Sequence, residues 1–133
     1  MTFLTELYEL TGDGQYLDAA VKAMSAVQSG IIPEGRWEDF ETYWSCCRWG
    51  GEFLGRKIPR NGMYKQCNFS MFWTAEALMR LYEITKDPQW LTTGQYVLDE
   101  LLMTQAVWQP PYMRVPVFGG FAVMNCDGEW LDA

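Results

Sequence analysis

Apolar residues recur at helical spacing from the first residues of the chain. Phe3, Leu4, Leu7 and Tyr8 fall three and four apart, the interval that puts side chains on one face of an α-helix. After Gly12, Asp13 and Gly14, the residues Leu17, Ala20, Val21, Met24 and Val27 form one stripe, with Asp18, Lys22 and Ser25 facing away. From 88 to about 104 the pattern returns: Trp90, Gly94, Val97, Leu98, Leu101 and Leu102 oppose Thr92, Gln95 and Asp99. The stretch 68–85 differs, because Phe69, Met71, Phe72, Trp73, Ala75, Ala77, Leu78, Leu81 and Tyr82 cover nearly its whole circumference. Such a helix is expected to be buried on all sides. The reading is all-α, with helical hairpins around 1–28 and 68–104 and long connections at 29–67 and 105–128.

The two hairpins carry the same turn. Leu7-Tyr8-Glu9-Leu10-Thr11-Gly12-Asp13-Gly14-Gln15-Tyr16-Leu17 aligns without a gap on Leu81-Tyr82-Glu83-Ile84-Thr85-Lys86-Asp87-Pro88-Gln89-Trp90-Leu91, and seven of the eleven positions are identical. Asp13 and Asp87 stand where a carboxylate would cap the N-terminus of the next helix, and Pro88 stands at the first helical position, where its missing N–H costs nothing. A helix-capping role is expected for both aspartates in preference to a catalytic one. Alternation of an all-round apolar helix with an amphipathic one, joined by a short turn, describes a two-layer ring of hairpins with the apolar helices inside. Residues 1–133 hold about two such hairpins, a partial α/α toroid. Repeats of this kind cannot bury their faces alone, so either further hairpins or further copies must complete the ring. A homo-oligomer through exposed inner-helix surface is expected, since large apolar patches rarely stay exposed.

Composition narrows the function. The 133 residues are 49% hydrophobic and 20% charged, as in a globular domain, and 16% aromatic. Ten basic against 17 acidic residues give a net charge of −7, which disfavours nucleic acid as a partner. No apolar run approaches a membrane span. There is no histidine, and Cys46, Cys47, Cys67 and Cys126 fit no zinc-binding spacing, so reduced thiols, no metal and no cofactor are expected.

The Tyr-Glu-(Leu/Ile)-Thr-x-Asp-x-Gln-(Tyr/Trp)-Leu turn, together with Phe118-Gly119-Gly120-Phe121 leading to Asn125-Cys126-Asp127-Gly128-Glu129-Trp130, resembles the six-hairpin glycosidase-like superfamily of α/α-toroid carbohydrate enzymes. The resemblance implies glycoside hydrolases, polysaccharide lyases or epimerases acting in a cleft on one rim of the ring. It is specific for the toroid and weak for any single activity. Asn125-x-Asp127-Gly128-x-Trp130 also looks like the Gln-Trp repeat of terpene cyclases, but Asn replaces Gln, one copy is present and the Asp-rich acid motif is missing.

Candidate chemistry falls in the long connections, where aromatic residues and acids are interleaved. Such a mixture suits a saccharide, whose C–H faces pack on aromatic rings while its hydroxyls pair with carboxylates. Hydrolysis requires two carboxyl groups across the scissile bond. The candidate pair is one of Asp39/Glu41 with one of Asp127/Glu129, and Trp37, Tyr43, Trp44, Tyr64, Lys65, Trp108 and Tyr112 are candidate substrate contacts. The same acids could be solvated loop charges, or first-turn acids favoured by a helix dipole. Phe72 and Trp73 are expected in the wall and core, and Glu76 is expected to pair with Arg80 one turn on. A lyase would instead take Tyr43 or Tyr64 as base, with Lys65, Arg36 or Arg114 neutralising a uronate. A non-catalytic module binding a glycan or protein through the aromatic rim is the remaining alternative. The expected function is glycoside hydrolase-like, with the isolated chain inactive unless the ring is completed.

Overall fold

The structure, a computed structural model, describes residues 1–38, 55–59 and 62–125. It is mostly helical. Among the described residues are four α-helices: α1 (Thr2–Thr11), α2 (Gly14–Gly30), α3 (Asn68–Thr85) and α4 (Pro88–Leu102). A short 3-10 turn, Ile32–Glu34, follows α2. Two two-residue strands that the helical pattern did not anticipate, β1 (Gln66–Cys67) and β2 (Met124–Asn125), pair antiparallel with Gln66 opposite Asn125 and Cys67 opposite Met124.

The duplicated sequence builds one hydrogen-bond pattern twice. Thr11 and Thr85 donate their hydroxyls to the carbonyls of Leu7 (2.6 Å) and Leu81 (2.7 Å), and each accepts from the N–H of the aspartate two residues on, at 3.2 Å. Asp13 and Asp87 then accept from the backbone N–H of Gln15 and Gln89, both at 3.0 Å. The Gln15 and Gln89 side chains close back onto the same carboxylates. Both aspartates are therefore caps, as their spacing indicates. Each preceding helix ends on a left-handed residue, Gly12 (φ 69°) or Lys86 (φ 59°), whose N–H reaches the carbonyl of Tyr8 or Tyr82 at 2.8 Å. Glycine takes that conformation freely and lysine does not. The Lys86 ammonium lies 5.9 Å from the centre of the Tyr82 ring, which offsets part of the strain.

The hairpins lie side by side. α2 packs on α1, α4 packs on α3, and α1 touches α3. Gln28 of α2 donates to Thr93 of α4 at 3.0 Å. Ala20 and Met24 of α2 join Met71, Ala77, Leu78 and Leu81 of α3 and Trp90, Val97 and Leu101 of α4 in one core that also takes in Ile32 and Trp37. Gly94 lets α4 close on α3, since a Cβ there would meet the Leu78 Cβ at 3.4 Å.

The expectation for α3 needs correction. Met71, Thr74, Ala77, Leu78 and Leu81 are buried, but Phe69, Phe72, Trp73 and Met79 are between 41% and 53% exposed. Its sequence is apolar all round, yet the described chain covers one face, because α1 and α4 approach from one side only. Arg80 also departs from expectation: it pairs across helices with Glu9 of α1 at 3.7 Å instead of with Glu76. Both partners are largely exposed, so the pair adds little stability.

Replacing Asp87 with Ala is expected to lower unfolding stability by about 1 kcal/mol through loss of the cap. Lys86→Gly is expected to raise it by roughly 0.5–1 kcal/mol through relief of the left-handed strain. Urea unfolding of both variants checks the pair of signs. A destabilising Lys86→Gly would show that the Tyr82 contact outweighs the strain.

Candidate functional site

A cleft of about 230 Å³ opens where the start of α1 faces the segment after α2 and the first turns of α3. Met1 and Thr2 line one side, Ile31 and Arg36, Trp37 and Glu38 another, and Ser70, Trp73, Thr74 and Ala77 the third. Local chemistry places these groups. Pro33 sits in the first turn of the 3-10 segment, which left-handed Gly35 (φ 59°) ends. The Arg36 N–H returns to the Ile31 carbonyl at 3.1 Å, which reverses the chain and sends residues 36–38 across the end of the core.

Trp37 is 1% exposed, and its indole N–H donates to Glu100 Oε2 at 2.7 Å. The Tyr96 hydroxyl donates to the other oxygen of the same carboxylate at 2.9 Å. This bond raises the Tyr96 pKa above the ordinary phenol value, with the negative charge of Glu100 and partial burial adding to it. A buried indole with its donor satisfied makes a fixed cleft wall.

Beyond Trp37 the polar groups form a connected set. The Arg36 Nε bonds Glu38 Oε2 at 3.0 Å, and Glu38 Oε1 accepts from the Gly55 N–H at 2.9 Å. The Glu38 side chain is 6% exposed and that of Arg36 46%. The Glu38 bond holds the Arg36 guanidinium pKa above its usual value. Tyr64 lies within cation–π distance of both Arg36 (5.4 Å) and Lys57 (5.5 Å), and its hydroxyl donates to Glu34 Oε2 at 3.0 Å. That hydrogen bond, with smaller contributions from burial and the Glu34 charge, raises the Tyr64 pKa. The Tyr64 hydroxyl is thus already engaged as a donor to Glu34.

The structure distributes the sequence candidates unevenly. Asp39, Glu41, Tyr43 and Trp44 lie outside the described residues, as do Asp127 and Glu129. Trp37 lines the cleft, and Tyr64 stands beside it against Arg36. Lys65 is 2% exposed. Trp108 and Tyr112 are 58% and 78% exposed, in a loop braced by hydrogen bonds of its own. There the Gln109 side chain donates to the Val115 carbonyl (3.1 Å) and accepts from the Val117 N–H (2.8 Å), while Ala106 and Gly119–Gly120 pair across the loop base. Neither Trp108 nor Tyr112 is part of the cleft lining. Cys67 is buried, and the other three cysteines fall outside the described residues. No cluster of three or more His, Cys, Asp or Glu residues able to hold a metal occurs among the described residues. No described helix is long and apolar enough to cross a membrane.

Of the residues lining the cleft only Trp37 was among the substrate contacts expected from the sequence, and Trp73 and Arg36 are the most distinctive of the others. Trp73, expected in the wall, is 53% exposed, lines the cleft and stacks on Phe69 one turn earlier (centroids 5.3 Å apart, planes at 16°). The i, i+4 spacing of Phe69 and Trp73 signals a stacked pair, but an apolar helix offers no clue to which pair stays open. Arg36 entered only as a possible uronate partner. No family model matches the chain, and neither any curated protein nor any solved structure matches it.

The raised phenol pKa of Tyr64 gives a pH prediction. A group whose folded pKa is raised adds stability below its ordinary pKa, near 10 for tyrosine, and loses it as pH rises through the folded value. Following tyrosinate absorbance through the alkaline range, Glu34→Gln is expected to shift one tyrosine transition to lower pH. An unchanged curve would mean that the Glu34 bond does not set this pKa.

Proposed function

We propose that this chain is part of a carbohydrate-active protein of the α/α-toroid type, glycoside hydrolase-like, acting on a poly- or oligosaccharide through paired carboxylates. The observation carrying this reading is a convergence of backbone. The Cys67 N–H donates to the Trp37 carbonyl at 3.0 Å, and Cys67 and Gln66 pair with Met124 and Asn125. Trp37 stands just before the acids Asp39 and Glu41, and Asn125 just before Asp127 and Glu129. The described residues that precede the two acidic segments, Trp37 and Met124–Asn125, therefore both lie against β1, which supports a pairing of one acid from each segment. The cleft lined by Trp37 supplies an aromatic surface, Trp73, and a polar pair, Arg36 and Glu38.

In this mechanism one carboxylic acid protonates the glycosidic oxygen, and the opposite carboxylate attacks the anomeric carbon or activates a water. A lyase using Tyr64 as base would first have to release its hydroxyl from Glu34, and one using Tyr43 would not draw on this bond. A non-catalytic glycan-binding module draws support from a different observation. Glu38, the described acid lining the cleft, already accepts hydrogen bonds from Arg36 and the Gly55 N–H.

Asp39→Asn, Glu41→Gln, Asp127→Asn and Glu129→Gln, made in the complete protein, test the pairing by release of reducing sugar. One variant from each pair is expected to lose at least about 100-fold in rate while keeping its thermal melt. Full activity in all four would end the carboxylate assignment. An unsaturated uronate product would establish the lyase, and saccharide binding without product the module.

A further inference from the structure

The cleft is small. Its volume of about 230 Å³ lies below the roughly 300–1,000 Å³ typical of pockets that enclose drug-sized ligands. It has room for one six-membered ring and not for a length of chain. One flat wall is the indole of Trp73, half exposed and stacked on Phe69, which is not part of the lining and holds the ring from outside the cleft. A second wall is Trp37, anchored by Glu100. Arg36 and Glu38 line the same cleft as a closed ion pair, and Thr2, Ser70 and Thr74 are further hydroxyl residues of its lining.

The ion pair decides what kind of ring fits. The Glu38 carboxylate is nearly buried and accepts from both Arg36 and the Gly55 N–H. The Arg36 charge is therefore already balanced, and a ligand carboxylate would have to compete with a fixed partner 3.0 Å away. Hydroxyl groups face no such competition. They accept from guanidinium N–H groups not used by Glu38 and donate to spare carboxylate lone pairs without breaking the pair.

Resting on the carbohydrate reading above, we propose that this cleft is a subsite for a single neutral pyranose ring, packed by its C–H face on Trp73, with its hydroxyls read by the Arg36–Glu38 pair. The recognised ligand is then a neutral glycoside unit, and uronates and other acidic sugars are disfavoured at this position.

Calorimetric titration with a neutral oligosaccharide panel and a matched uronate panel tests this. The protein used carries a short N-terminal extension, so that no amino-terminal charge sits at Met1. Neutral sugars are expected to bind at least about tenfold more tightly than uronates. Trp73→Ala, at an exposed position where folding should survive, is expected to weaken the neutral ligand about tenfold, a loss of about 1.4 kcal/mol. Glu38→Gln keeps the side-chain shape and unbalances Arg36, so it should raise uronate affinity several-fold, an effect that mere loss of structure would not produce. Equal or tighter binding of uronates by the parent protein, or a Trp73→Ala variant that binds normally, would overturn the subsite while leaving the carbohydrate reading standing. Binding of no saccharide in either panel would overturn both.

Discussion

The buried side chain of Asn68 joins several parts of this structure that lie far apart in sequence. Its amide donates to the Thr104 hydroxyl at 3.0 Å and to the Ala122 carbonyl at 2.7 Å, while its backbone N–H donates to the Val123 carbonyl at 2.8 Å. One residue earlier, Cys67 bonds Trp37 on one side and pairs with Met124 on the other. The start of α3, the end of α4, the segment after α2 and the return of the 105–123 loop all meet within these few bonds. Asn68 is only 3% exposed, so an unpaired amide there would carry the full cost of desolvation, about 1–3 kcal/mol. The joint is therefore fixed, and the cleft wall at Trp37 is fixed with it.

A second device works along the helices. Each hairpin is closed by the same threonine–aspartate–glutamine turn, which ends one helix and starts the next within a few residues. Every bond in it spans at most four residues, so the turn is specified locally. The hairpins then meet through α1 and α3, with Gln28 and Thr93 joining the second helices. The apolar face that α3 leaves open, Phe69, Phe72, Trp73 and Met79, is the kind of surface that a neighbouring hairpin or another copy would bury in a ring. At its edge Trp73 turns into the cleft, so one helix contributes both to packing and to the proposed subsite.

Much of this was legible in the residues themselves. The stripe Leu17, Ala20, Val21, Met24 and Val27 is the face α2 turns inward, and Asp18, Lys22 and Ser25 are exposed. The capping aspartates are where the repeat puts them. The candidate site was less legible. Trp37 was readable as an aromatic near the chemistry, but its burial depends on Glu100, 63 positions away. Tyr64 was readable as a possible base until the bond from its hydroxyl to Glu34 is known.

The sequence by itself determined the helices, their ends and the duplicated turn, because those follow from periodicity and from hydrogen bonds between close neighbours. Tertiary structure alone decided which face of α3 is covered, that Arg80 reaches Glu9, that Asn68 gathers Thr104 and Ala122, and that Arg36 and Trp73 share a cleft. These contacts join residues far apart along the chain. An apolar or polar pattern states that a residue needs a partner, and only the packing of whole elements selects which one.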